Sequence, residues 1–312
     1  MNQVRADRVP VAGGSLYYRT EGSGPVLLIM GGGPSSADTL APLAAQLAAD
    51  FTVVCYDRRG YSRSEVTDGP VEPADVIARH AADARRLIAA LGAGPVSVFG
   101  TSFGALIALE LAATAPAAVA TVIVHEPPLG QLLAGRERQP FELNLDAEQD
   151  AGAALNAIAA SVGVSRGRGL GVGGSGVGGS GLAGSGAAGS GAAGAGAAGA
   201  GAAGAGPARA DVELFIRRDA PAIGDYRLDI YRLRPMAGRL IVTGSEGSRD
   251  FYPYQCTMRL AGQLGLPLTE LPGNHAGMIQ QPARFAARLR YLLLQPACRE
   301  TGLAGTHEGV TT

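Results

Sequence analysis

The sequence predicts an α/β fold in which a mostly parallel sheet is covered by helices on both faces. Two observations carry this expectation. Short apolar runs alternate along the chain with stretches of helical period. The runs are also apolar throughout rather than at every second residue, as strands buried on both faces require.

Taken in order, residues 15–22 (SLYYRTEG) read as an early strand, and VLLIM at 26–30 as a buried one followed at once by glycines. A helix is expected over 40–49, a strand over 51–57, and a long amphipathic helix over 73–91. The strand VSVFG (96–100) runs directly into a helix over 103–115, which leads to the strand TVIVHE (121–126). After a long non-sheet region the alternation resumes with RLIVTG (239–244), a helix over 254–264, LPLTELPG and a closing helix over 282–294. These halves form one core, residues 1–130 and 235–298. The intervening 131–234 read as an inserted cap, with helices over 147–161 and 211–231, and 299–312 as a disordered tail.

Within the cap lies a run that would pass for a membrane span by hydropathy, since no charged residue separates Arg168 from Arg209. It is not read as one. Residues 171–205 form seven five-residue units, each opened by glycine, and glycine at that density costs a helix about 1 kcal/mol per position relative to alanine. Residues 163–206 hold 20 of the 47 glycines and are expected to be a flexible segment. The remaining composition is ordinary. Lys+Arg (26) and Asp+Glu (27) nearly cancel and gather into no one-sided basic patch, which argues against nucleic acid and membrane surfaces as partners and for a small-molecule substrate. Three scattered cysteines form no disulfide or zinc pattern, and the N-terminal residues have no apolar secretory core, so a cytoplasmic location is expected.

Chemistry concentrates at a few places. Gly100-Thr101-Ser102-Phe103-Gly104 is a G-x-S-x-G sequence on a strand-to-helix junction. There the serine would sit on a strained turn with its hydroxyl clear of the sheet, and the flanking glycines would admit neighbouring backbone. Gly31-Gly32-Gly33-Pro34-Ser35, just after the first buried strand, could aim a backbone N–H, that of Gly33, at a tetrahedral oxyanion, with the Phe103 N–H as its partner. It lacks the spacing of a phosphate-binding loop.

These motifs resemble those of the α/β-hydrolase superfamily over about residues 9–130 and 235–294. GGGPSS is similar to the His-Gly-Gly-Pro-Gly oxyanion loop, with Gly31 in place of histidine and Ser35 in place of the last glycine. Residues 57–64, DRRGYSRS, resemble the D-x-R-G-x-G-x-S turn with Ser62 where glycine is expected, and GTSFG resembles the nucleophile elbow. The resemblance implies an eight-stranded core, a variable cap over the substrate and a nucleophile, acid and histidine in that chain order. It implies no substrate by itself.

Of the four histidines, His275 lies in a tight loop (LPGNHAG) after the last predicted strand, where the family places its base. His80, inside the amphipathic helix beside arginines, reads as a surface residue, and His307 as part of a polar tail. His125 has the wrong place in the chain. The acid stays open. Gly247 stands where most members carry it; Glu246 and Asp250 are near, and Glu126, at the end of TVIVHE, matches branches that carry the acid one strand earlier. The expected chemistry is acyl transfer to water from a small ester, lactone or thioester, through Ser102, His275 and Glu126, with no cofactor or metal. The motifs are also similar to those of proline iminopeptidases, for which Glu142, Asp146, Glu148 and Asp150 would have to bind a substrate amine. A non-hydrolytic enzyme or a binder on the same fold are the further alternatives.

Overall fold

A computed structural model describes residues 3–134, 150–164 and 207–295. The strands are β1 (Arg5–Val11), β2 (Gly14–Glu21), β3 (Val26–Met30), β4 (Thr52–Tyr56), β5 (Glu65–Val66), β6 (Val96–Thr101), β7 (Val119–His125), β8 (Leu240–Ser245) and β9 (Leu268–Leu271). They make one sheet ordered β1-β2-β4-β3-β6-β7-β8-β9, with two-residue β5 hydrogen-bonded beside β2. Seven of these, β2, β3, β4, β6, β7, β8 and β9, are the expected strands. β1 is not among the expected ones, because its mostly exposed residues mix polar and apolar without a clear run, and β5 escapes the sequence because two exposed residues carry no pattern. β1, β2 and β4 pair antiparallel and every later neighbour pairs parallel.

The apolar runs are explained by burial on both faces. In β3, Leu28 and Met30 enter one core while Leu27 and Ile29 enter the other, and β4 divides Val54 and Tyr56 from Val53 and Cys55 in the same way. The first core is closed by α2 (Pro73–Ala90), α3 (Phe103–Thr114) and α7 (Tyr252–Leu264), the second by α1 (Ala41–Leu47), the short α8 (Gly277–Gln280) and α9 (Pro282–Leu294). α3 is apolar nearly all round because the sheet, α2 and the β7–β8 insertion enclose it.

That insertion departs most from expectation. α4 (Ala151–Ser161) starts at Asp150, whose carboxylate caps it by accepting the Gly152 N–H. The helix expected over 211–231 is broken into α5 (Arg209–Leu214), a π turn (Phe215–Asp219), α6 (Ala220–Asp225) and a 3₁₀ stretch (Ile230–Arg239). Tyr226 leaves the helical region with ψ at 135°. The expectations for residues 165–206 and 299–312, and for Glu142, Asp146 and Glu148, fall outside the described residues. Among the described residues no helix is long and apolar enough to cross a membrane.

Candidate active site

The elbow at Ser102 follows from the glycines around it. Ser102 is held at φ 53°, ψ −122° between β6 and α3, a conformation costing a non-glycine residue about 1–3 kcal/mol. A Cβ on Gly100 would stand 2.6 Å from Gly104 O, and one on Gly104 would stand 2.1 Å from Met30 O. Only glycine therefore lets α3 start this close to β6 and to the end of β3. The Ser102 N–H donates to His125 O at 2.8 Å, which ties the elbow to the end of β7.

The glycine loop after β3 lies directly against the serine. A Cβ on Gly32 would reach 2.6 Å from Ser102 Cβ and 2.8 Å from Thr101 O, and Gly33 adopts φ 48° with open space beside it. Gly32, Gly33, Ser102 and His275 line one cavity of about 130 Å³, whose remaining wall is mostly apolar, with Leu155, Ala159 and Val162 of the insertion and Met278 and Ile279, and carries the hydroxyl residues Ser35, Thr39 and Thr101.

His275 Nδ1 is 2.5 Å from Glu126 Oε2. Glu126 is fully buried, follows β7 at φ 50°, and accepts the Ser245 N–H on Oε1 at 2.6 Å. Burial alone would raise the Glu126 carboxyl, but His125, the His275 hydrogen bond and charge, and the Ser245 N–H outweigh it and hold it below the usual carboxylate range. An ionised Glu126 accepts the Nδ1–H and leaves the lone pair of His275 on Nε2. Of the other carboxylates considered from sequence, Glu246 and Asp250 are exposed on the turn after β8. The structure gives a reason for the glycine at 247. Its N–H supports Gly273 O of the histidine loop at 2.8 Å, and a Cβ there would stand only 2.9 Å from that oxygen.

Behind Glu126 lies a residue that no pattern in the sequence singles out. His125 is fully buried, with Nδ1 3.1 Å from Thr243 Oγ1 and Nε2 3.3 Å from Ser245 Oγ. Thr243 donates its own proton to Val124 O and so accepts from Nδ1–H. The Ser245 hydroxyl donates its one proton to Asn274 O, fixing the residue before His275. Burial pushes the His125 imidazole down to about 4, against the pull of Glu126.

His80 corrects the expectation of a surface residue. It is 2% exposed, its ring meets Phe103 edge-on, and its Nε2 is 3.5 Å from Asp219. Burial lowers its pKa although Asp219 opposes this. The helix pattern could not reveal it, because its polar neighbours come from the insertion. Ser62 is a second case. It adopts φ 47°, which explains the glycine expected there, and Asp211 compensates by accepting its N–H at 2.7 Å as well as its hydroxyl. The first residue of that turn, Asp57, accepts the Ala37 N–H at 2.7 Å and pairs with Arg63.

A profile of the alpha/beta hydrolase fold family matches residues 25–167. The uncharacterized hydrolase YraK of Bacillus subtilis is 31% identical over 290 residues, which is 91% of this chain and 94% of that protein. An alpha/beta hydrolase structure from Sphaerobacter thermophilus superposes with a TM-score of 0.62 at 22% identity, over 92% of this chain and 100% of that one. The esterase RhEst1 from Rhodococcus sp. ECU1013 superposes with a TM-score of 0.61 at 18% identity, over 93% and 98%. The two structural likenesses speak for the fold.

Proposed function

The chain belongs to the alpha/beta hydrolase fold family, and from that premise we propose that it is a serine hydrolase cleaving small, neutral, apolar esters, lactones or thioesters. Ser102 Oγ attacks the acyl carbon while His275 Nε2 takes its proton, and Glu126 steadies the imidazolium that forms. The N–H groups of Phe103 and Gly33 meet the oxyanion. Collapse expels the alcohol or thiol with the proton from His275, leaving an acyl-enzyme. A water deprotonated by His275 then releases the acid.

The observation that carries this reading is the His275–Glu126 contact of 2.5 Å beside a cavity shared with a strained Ser102. The cavity supports the substrate class. Its volume of about 130 Å³ is close to the roughly 150 Å³ that holds one benzene ring, and among the described residues none that lines it carries a carboxylate, an arginine or a lysine. An aminopeptidase would need an anionic group for the substrate amine; among the described residues Glu126 is committed to His275 and Asp150 caps an exposed helix end, while Glu142, Asp146 and Glu148 fall outside them.

A panel of p-nitrophenyl esters from acetate to octanoate, run beside L-prolyl-p-nitroanilide, tests it. Turnover of the short esters with none of the anilide is expected. Turnover of the anilide alone would replace the esterase reading with the aminopeptidase one.

A further inference from the structure

Two buried carboxylates of the insertion between β7 and β8, Asp211 and Asp219, hold it to the sheet body, and Asp219 makes the contact nearest the glycine loop. Asp219, which closes the π turn, is fully buried. It accepts the Tyr61 hydroxyl at 2.7 Å and Arg218 Nε at 2.7 Å, with Arg58 Nη2 at 3.5 Å. Arg58, only 1% exposed, extends the contact to the glycine loop: Nη1 donates to Gly31 O at 2.6 Å and Nη2 to Gly33 O. Its guanidinium carbon also lies 5.1 Å from the centroid of the Phe103 ring. Phe215, which opens the same π turn, meets that ring edge-on at 6.3 Å.

The geometry points to Asp219 as a positioning residue for the oxyanion hole, acting through Arg58. The Gly31 and Gly33 carbonyls belong to the peptide planes on either side of the Gly32–Gly33 peptide, whose N–H is the proposed donor. Clamping both neighbours fixes the plane between them. Three successive glycines have little preference of their own for one conformation, so the clamp has to come from outside the loop. Arg58 holds its fork there only while a buried anion compensates it, since an unpaired buried cation is strongly disfavoured. π turns inside α-helices recur at functional sites, and this one supplies both Asp219 and Phe215.

The inference rests on the serine-hydrolase reading, and its test separates the two. Asp211 is a control: it binds the insertion to the same turn through Ser62 and has no contact with Arg58 or the glycine loop. Asp219→Asn and Asp211→Asn are compared with wild type for melting temperature, for kcat and KM on p-nitrophenyl butyrate, and for the rate of fluorophosphonate attachment to Ser102. Both variants are expected to melt lower. Only Asp219→Asn should lose about 10²-fold in kcat and in attachment rate, with KM within threefold. Equal kcat losses in the two variants, or a folded Asp219→Asn within threefold of wild type, would overturn the inference. Should Asp219→Asn not fold, Tyr61→Phe removes one hydrogen bond from Asp219 and keeps every charge. A kcat about tenfold lower supports the clamp, and an unchanged kcat overturns it. Wild type that neither hydrolyses the ester nor takes the probe would sink the hydrolase reading, and the clamp with it.

Discussion

Replacing Glu126 by glutamine keeps the shape of the side chain and removes its charge. An acceptor for the Ser245 N–H survives, but the partner of His275 Nδ1 becomes neutral at a site with no exposure to water. The imidazolium formed in the transition state would lose an anion about 4 Å from its centre. At an effective dielectric constant of about 20 that attraction is worth about 4 kcal/mol, or about 10³ in rate. An amide that offers its NH₂ to Nδ1 also favours the wrong imidazole tautomer, and a comparable change in a serine protease triad costs about 10⁴ in kcat. Glu126→Gln is therefore expected to lower kcat on p-nitrophenyl butyrate by about 10³ to 10⁴ while the far-ultraviolet circular dichroism is unchanged. The exposed carboxylates supply the control: Glu246→Gln and Asp250→Asn should stay within threefold of wild type. If Glu126→Gln kept a tenth of wild-type activity while either control lost 10³, the acid would be misassigned.

Three further predictions concern the scaffold. Gly32→Ala brings a Cβ to 2.6 Å from Ser102 Cβ and 2.8 Å from Thr101 O. Displacing Ser102 or the loop by about 1 Å should cost about 10² in kcat, measured on the same ester. Asp83 holds the buried Arg59 in a two-pronged pair at 2.8 and 2.6 Å. Asp83→Ala should lower unfolding free energy by about 2–3 kcal/mol in urea titrations, because the buried guanidinium loses its two-pronged partner and keeps only Asp68, at 3.2 Å, as a counter-charge. His125 has a folded pKa of about 4 against about 6.5 when unfolded, so the unfolded state binds the extra proton between those values. Its contribution is complete above about pH 6.5 and falls by about 3 kcal/mol as the pH drops toward 4. Urea midpoints across that range should slope steeply for wild type and flatten in His125→Gln.

The sheet was legible because strands such as VLLIM are apolar without alternation, and burial on both faces follows from that pattern alone. Closing helix α9 has the predicted bounds, and α7 begins two residues before the predicted start, where Pro253 occupies its first turn. Ser102 and His275 stood out because their surroundings, glycines at a strand-to-helix junction and a tight loop after a strand, are local. The choice between Glu126 and its rivals was not local. It depends on where β7 ends beside β8 and on Gly247, whose lack of a side chain makes room for Gly273 O. The residues that escaped the sequence, His80, Arg58 and Asp219, are polar groups buried by one another, with Tyr61 and Asp219 158 positions apart. The same distance effect broke the helix expected over 211–231. A period of 3.6 does not register that Asp219 is drawn to Arg58 and Tyr61, nor that Pro221 and Gly224 follow it.

In the proposed mechanism Ser102 is a nucleophile activated by His275. Incubation with a fluorophosphonate, followed by mass mapping of the modified peptide, tests it directly. One adduct per chain on Ser102, at least 10³-fold slower to form in His275→Ala, is the predicted result. A folded protein that takes no adduct, or takes it as fast without His275, would contradict the claim.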